Sequence, residues 1–379
     1  MKLAFICTEK LPSPAIRGGA VQMMLDGVIP FLSKKFELTV FSISDPLLPA
    51  TEVRNQVHYI RLPRLNYAEY VSNALSIRNF DLIHVFNRPI NVLSYQKAAP
   101  QSRIVLSLHN EMFQASKISD DQGRQVIEAL SAIMTVSRYI KDTVTARFPD
   151  AAAKTVPVYS GIDEQRYRTA HTPDGATIRQ KWRERYQLGE RPVILFAGRL
   201  SVKKGPHLLI KAMKQVIDFH PDAVLVIAGG KWFSDNSRNR YVDYLHRIAE
   251  PLGDHVRFIN YIPADQIPEL FLLADLFVCS SQWQEPLARV HYEAMAAGIP
   301  VITTSRGGNS EVVKHMENGW LIANYDQPAA FFEAIDFLLA NPETAKTFAE
   351  NGRCFVLDKH KFSDVAARMS RVYDDVLRG

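Results

Sequence analysis

Short apolar runs recur along the chain, separated by longer stretches of amphipathic character. The first half carries seven such runs: KLAFICT, FELTVFSI, VHYIRLP, DLIHVFN, RIVLSLHN, AIMTVS and KTVPVYS. Helical stretches lie between most of them, and this alternation predicts βαβ units around a parallel sheet. The pattern then breaks into EQRYRTAHTPDGATIRQKWRERYQLGERP, a polar stretch over about residues 164–190 that reads as a linker. Beyond it the alternation restarts with PVILFAGRL, AVLVIAGG, VRFIN, LFVCSS, PVITTS and GWLI, and helical segments run from about residue 327 to the end. The expected architecture is α/β, with two tandem Rossmann-like, doubly wound domains. In such domains ligands sit beyond the carboxyl ends of the strands, which directs attention to the loops there and to a central cleft between the domains.

Length agrees with this division, since 379 residues exceed one comfortable core and suggest two domains of roughly 150–200 residues. Hydrophobic content of 47% and charged content of 22% are those of an ordinary globular protein. No apolar run approaches the ~20 residues that span a bilayer, and MKLAFICTEK turns polar too soon for a signal peptide. Cys7, Cys279 and Cys354 show neither metal nor disulfide spacing, so a cytoplasmic location is the expectation. The net charge of +5 suits an anion-binding protein but comes without a basic run fit for nucleic acid.

Four strand-end segments carry candidate chemistry. In SSQWQEPLARVHYEAMAAGIPVITTS a strand is followed by Glu285, and Pro286 suits the first turn of a helix expected from about Leu287 to Ala297. Glu285 then stands at the helix mouth and Glu293 about two turns inside. First-turn N–H groups favour an anion, and the two carboxylates could accept from sugar and ribose hydroxyls. A plain alternative has Glu285 capping the helix and Glu293 solvated. In LFAGRLSVKKGPHLL, Arg199 and Lys204 emerge between a strand and a helix, a pairing suited to a diphosphate, with Lys203 as a solvated neighbour. Gly18 and Gly19 close a long loop after the first strand and permit close backbone approach to a ligand. His109 ends the strand of VLSLHNEMF, where a structural and a functional role are equally open. No D-x-D and no H-E-x-x-H occurs, which disfavours a metal-dependent transferase or a zinc hydrolase.

Taken together, EPLARVHYE with AMAAGIPVI resembles the E-x7-E region of retaining glycosyltransferases of family 4, which have the GT-B fold. GRLSVKKG resembles that family's G-R-L…K-G segment, RGGA its glycine loop, and YSGID (residues 159–163) the turn closing its first domain. The N-terminal TEKLPSPAIRGGAVQ is similar to spore-coat-associated members in bacilli, so a spore-coat location stands beside the cytoplasm. The resemblance implies an acceptor domain over residues 1–170, a donor domain over 190–355, and a C-terminal helix, 356–379, returning to the first domain. It implies metal-independent transfer of a hexosyl group from a nucleotide diphosphate sugar, UDP- or GDP-linked, with no resident cofactor. Arg199 and Lys204 would hold the diphosphate, Glu293 the ribose and Glu285 the sugar, with the N–H groups of Leu287, Ala288 and Arg289 nearby. Gly18 and Gly19 would sit against donor phosphate or acceptor, and His109 over the sugar near the reaction centre.

The acceptor is expected to be a glycan, a lipid-linked species or a small molecule, with peripheral membrane contact open and no nucleic-acid partner. Three residues depart from the family pattern. Ala288 replaces a common glycine, Arg289 a small or apolar residue, and Asn260 of FINYI a common glycine near the base-recognition wall. They bear on donor identity more than on fold. Two rival readings remain: a degenerate GT-B protein with a structural or coat role, and a nucleotide-sugar 2-epimerase or hydrolase, for which HNEMF supplies little.

Overall fold

The protein was analysed as a computed structural model, which describes residues 1–231 and 237–379. Two compact units emerge: Met1–Gly161 together with Phe362–Gly379, and Ile162–Lys361.

The first unit is built on an eight-stranded sheet in the order β3-β4-β2-β1-β5-β6-β7-β8. Its strands are β1 (Lys2–Ile6), β2 (Glu37–Ile43), β3 (Thr51–Arg54), β4 (Val57–Leu62), β5 (Leu82–Phe86), β6 (Arg103–Leu108), β7 (Ala132–Thr135) and β8 (Thr155–Pro157). All pairings are parallel except β3 with β4. β3 has no counterpart among the apolar runs of the sequence. It is a short, mostly exposed edge strand, TEVR, turned into β4 by Asn55 and Gln56, both at positive φ. A two-residue turn of this kind matches the twist of a hairpin without needing glycine.

The second unit holds six parallel strands in the order β11-β10-β9-β12-β13-β14. They are β9 (Val193–Ala197), β10 (Val224–Ala228), β11 (Val256–Ile259), β12 (Leu276–Cys279), β13 (Val301–Thr304) and β14 (Trp320–Ile322). Here every strand coincides with an apolar run read from the sequence. β10 is buried along its whole length, so both faces are covered and its sequence, VLVIA, is apolar throughout. In each unit the winding reverses beside the first strand, at β1/β5 and at β9/β12. These are the points where a doubly wound sheet opens a crevice for ligands.

The polar stretch read as a linker contains a helix instead, Pro173–Arg185. Thr172 caps it by accepting from the Gly175 N–H, and proline occupies its first turn. Its anchorage is polar, which is why no apolar stripe announced it. Arg183, 5% exposed, donates to the carbonyls of Gly189 and Leu273, at 2.7 and 3.0 Å. Arg179 reaches the carbonyls of Leu272 and Ala274 and the Asp275 carboxylate.

The last helix, Phe362–Arg378, packs on the helix Ala20–Leu32 within the first unit. Gly27 makes room for the Phe362 ring, which a Cβ there would meet at 2.2 Å. Tyr373 is fully buried and shares a 2.6 Å hydrogen bond with His84 Nδ1, while Ser107 Oγ takes Nε2 at the same distance. Burial pushes the His84 pKa well below the usual histidine value, so the imidazole is neutral and both nitrogens are structurally engaged.

Candidate donor site and first-unit loops

Three loops of the second unit, after β9, β12 and β13, converge beyond the carboxyl ends of their strands. After β9 the chain passes Gly198 and Arg199, makes a single 3-10 turn over Val202–Lys204, and enters the helix Pro206–Phe219 through Gly205. Gly205 has φ 68°, and a Cβ there would come within 2.2 Å of the Ser280 carbonyl. Only glycine permits this approach of the β9 loop to the end of β12. Ser280 Oγ then donates to the Lys204 carbonyl at 2.9 Å, and the Gln282 N–H to the Lys203 carbonyl at 2.8 Å. These bonds aim the Lys204 side chain across the β9/β12 crevice.

Its partner there is Glu285. Lys204 Nζ lies 2.6 Å from Glu285 Oε2, with side-chain exposures of 19% and 7%. Ser281 Oγ and Trp283 Nε1 donate to the same oxygen, at 2.7 and 2.8 Å. Oε1 takes no hydrogen bond among the described residues. Burial works to raise the Glu285 pKa, but the Lys204 charge and the three hydrogen bonds outweigh it and hold the carboxyl below its ordinary value. The backbone is clamped as well. The Gly308 N–H donates to the Glu285 carbonyl at 2.8 Å, and Gly307, at φ 56°, leaves no room for a Cβ against that carbonyl.

Arg199 is half-buried close to the same carboxylate, and burial, partly offset by the Glu285 charge, lowers its pKa from the usual guanidinium value. The structure therefore brings Arg199, Lys204 and Glu285 together. Lys203 is exposed, with its ammonium 5.3 Å from the centre of the Trp283 ring.

The helix after Glu285 begins later than the proline suggested. It spans Arg289–Ala296, and Pro286, Leu287 and Ala288 form a buried, non-helical lead-in whose last residue, Ala288, is extended. Glu285 is thus no cap: Ala288 holds that position, with no side-chain hydrogen bond to the first turn. Glu293 lies about one turn inside rather than two and is 5% exposed rather than solvated. Its Oε1 pairs with Arg289 Nη2 at 3.4 Å, an i,i+4 contact along the helix. Arg289 accordingly serves the second glutamate, a role its sequence position did not reveal. Asn260 is exposed just past β11.

His291, between the two glutamates, is fully buried. Thr303 Oγ1 donates to the Cys279 carbonyl, so it accepts from His291 Nε2 at 2.9 Å. Burial lowers the His291 pKa to about 4, aided by the Lys204 charge and opposed by that of Glu285. Ser281, Trp283 and His291 escaped the sequence reading because serine, tryptophan and histidine near a strand end carry no spacing signal. Only the fold shows what they touch.

In the first unit, Gly18 (φ 75°) and Gly19 (φ 102°) lead into the helix Ala20–Leu32. A Cβ on Gly19 would meet Leu11 at 2.5 Å and Gln22 at 2.7 Å, so the loop folds tightly over the helix start. Buried Arg61 ties this loop to its neighbour, donating to the Ser13 carbonyl at 3.0 Å and the Pro49 carbonyl at 2.7 Å. His109 follows β6; its backbone N–H donates to Asn87 Oδ1 at 3.1 Å and its ring lies 6.2 Å from that of Phe86. Across β1/β5, Arg88 grips Glu9 with two bonds of 2.6 and 2.7 Å. Among the described residues, no three His, Cys, Asp or Glu side chains are grouped to hold a metal ion, and no helix is long and apolar enough to cross a membrane.

Residues 178–355 match the family model described as Glycosyl transferases group 1, and residues 17–166 match Glycosyltransferase Family 4. The chain is 55% identical to "Putative glycosyltransferase YtcC" of Bacillus subtilis (strain 168), over 100% of its own length and 93% of that protein. It is 45% identical to "Spore coat protein SA" of the same organism, over 99% of both chains. Among solved structures, HepE of Anabaena in complex with UDP and glucose superimposes with a TM-score of 0.78 over 99% of both chains, at 22% identity.

Proposed function

The chain belongs to the family 4 glycosyltransferases of GT-B fold, a hexosyltransferase class, and on that premise we propose that it moves a sugar from a nucleoside diphosphate donor with retention of anomeric configuration and without a metal. The observation that carries this reading is the Lys204–Glu285 pair across β9/β12, with one Glu285 oxygen spent on three donors and the other left for a sugar hydroxyl.

Arg199 and Lys204 hold the diphosphate, the uncapped helix start at Ala288 and Arg289 adds N–H dipoles with Leu287 beside it, and Glu293 accepts from the ribose. As the anomeric C–O bond breaks, its electron pair goes to the diphosphate, where these cations and dipoles stabilise the developing charge. The acceptor hydroxyl attacks the same face, and its proton passes to the departing phosphate oxygen. Neither glutamate acts as a glycosidase carboxylate. Gly18, Gly19 and His109 enter from the family resemblance, the glycines against phosphate or acceptor and His109 near the reacting carbon. The donor is UDP- or GDP-linked: HepE was solved with UDP, and a mycobacterial relative 28% identical over 94% of this chain is named a GDP-mannose-dependent mannosyltransferase. The acceptor is a glycan, a lipid-linked species or a small molecule. The site of action is cytoplasmic.

The likeness to a spore coat protein favours one second reading, a coat role in which the fold is kept without turnover. A donor screen separates the two. Thermal shift with UDP, GDP and ADP, followed by hydrolysis of the matching sugar nucleotides, should reveal one stabilising nucleotide and slow release of its sugar. Failure of every nucleotide to stabilise the chain would favour the coat reading.

A further inference from the structure

Trp283 lies in the loop after β12 and touches both partners of the ion pair. Its indole N–H is 2.8 Å from Glu285 Oε2, and its ring centre lies 6.0 Å from the Lys204 ammonium and 5.3 Å from that of Lys203. An indole N–H can only donate. Unlike the Ser281 hydroxyl, which can rotate, it has no favourable contact with a protonated carboxyl presenting its own O–H. A bound diphosphate must draw on the Lys204 ammonium, and Glu285 would then depend on its neutral donors to keep orientation and charge.

We propose that Trp283 is a positioning residue for donor-sugar recognition: its N–H, with Ser281, holds Glu285 by Oε2 while Lys204 turns to the diphosphate, so that Oε1 stays aimed at a sugar hydroxyl. This rests on the donor-site reading above. The ring contributes separately, by stabilising the two lysine charges from its face. Other groups whose charge bears on Glu285 or faces it are Arg199 and Lys204 after β9, Cys279 at the end of β12 and His291 on the helix Arg289–Ala296.

The test uses the full chain with UDP-glucose, UDP-N-acetylglucosamine and GDP-mannose as probes and water as acceptor. Trp283→Phe keeps the ring and removes the N–H. It should lower kcat/KM for hydrolysis about tenfold, as for loss of one hydrogen bond to a charged group, while UDP or GDP binds as in the wild type. The acid limb of the activity–pH profile should move to higher pH, because a carboxylate with one donor fewer protonates more readily. Glu285→Gln should lose about a hundredfold or more of the rate, and its residual activity should lack that limb, which assigns it. A Trp283→Phe protein with unchanged rate and unchanged acid limb, beside a strongly impaired Glu285→Gln, overturns the inference but not the donor site. A Glu285→Gln protein as active as the wild type, or a wild type that hydrolyses none of the probes, overturns the donor-site reading and this inference with it. Trp283→Leu, which loses ring and N–H together, should weaken nucleotide binding as well; equal effects of Leu and Phe on nucleotide binding would contradict the separate role of the ring.

Discussion

Each sheet is bridged across its crevice by one ion pair, and the two pairs differ in what they leave over. At β1/β5 the Arg88 guanidinium meets Glu9 as a fork, one nitrogen on each carboxylate oxygen, at 2.7 and 2.6 Å. Both oxygens are spent, and the pair reads as a fastener between two loops. At β9/β12 a compact ammonium and two neutral donors crowd onto Oε2 of Glu285, and Oε1 accepts nothing among the described residues. Both carboxyls are held below their ordinary pKa. For Glu9 burial is outweighed by the Arg88 hydrogen bond and charge, and for Glu285 by Lys204 and the donors. An ion pair across the crevice, with its two signs exchanged between the sheets, thus makes a closed contact in one and an open acceptor in the other. Arginine's planar fork and lysine's point charge explain the difference.

The largest expected effect comes from opening the second pair. Lys204→Ala removes a diphosphate cation and leaves Glu285 with neutral donors only. Sugar-nucleotide hydrolysis should fall by roughly 10²–10³. Breaking a buried pair from one side should also destabilise the fold by about 3 kcal/mol. The double change Lys204→Met with Glu285→Leu should recover stability in a denaturant titration without recovering turnover. Recovery of both would reduce the pair to a packing element.

A smaller effect concerns His291, whose pKa is about 4 in the fold against an ordinary value of about 6.5. The unfolded chain takes up this proton first, so the stabilisation is complete above pH ~6.5 and is lost as the pH falls toward 4. Across that window the contribution is roughly 3 kcal/mol. Urea titrations at several pH values should show a flatter acid slope for His291→Gln than for the wild type. An unchanged slope would mean that the buried imidazole carries its proton. The smallest effect is expected at the first crevice, where Arg88→Met should change donor hydrolysis less than threefold, since a fastener between loops is within the range of partly exposed pairs.

How far these regions could be read in advance follows the same division. Buried parallel strands need continuous apolar runs, so β9 to β14 were plain from VILFA to WLI. The edge strand β3, with one face in solvent and no run, was not. The helix Pro173–Arg185 was missed because buried Arg183 and half-buried Arg179, bonded to carbonyls, do the anchoring that apolar residues usually do. At the site, Arg199, Lys204 and Glu285 stood out as charges in strand-end loops, and Glu293 by its spacing from Glu285 in a segment that resembles the E-x7-E region. The start of the helix at Arg289 depended on Ala288 remaining extended, which a proline two residues earlier did not disclose. Trp283 and Ser281 were silent, since their importance lies wholly in reaching one oxygen of a residue two and four positions away.

The open oxygen is the centre of the account, and the most direct measurement compares two conservative changes that differ only in which crevice they touch. Hydrolysis of the matched sugar nucleotide should be followed in Glu285→Gln and Glu9→Gln, each checked for an intact fold by its melting temperature. The account predicts a loss of about a hundredfold or more in kcat/KM for Glu285→Gln and less than threefold for Glu9→Gln. Equal losses, or a larger loss at Glu9, would contradict it.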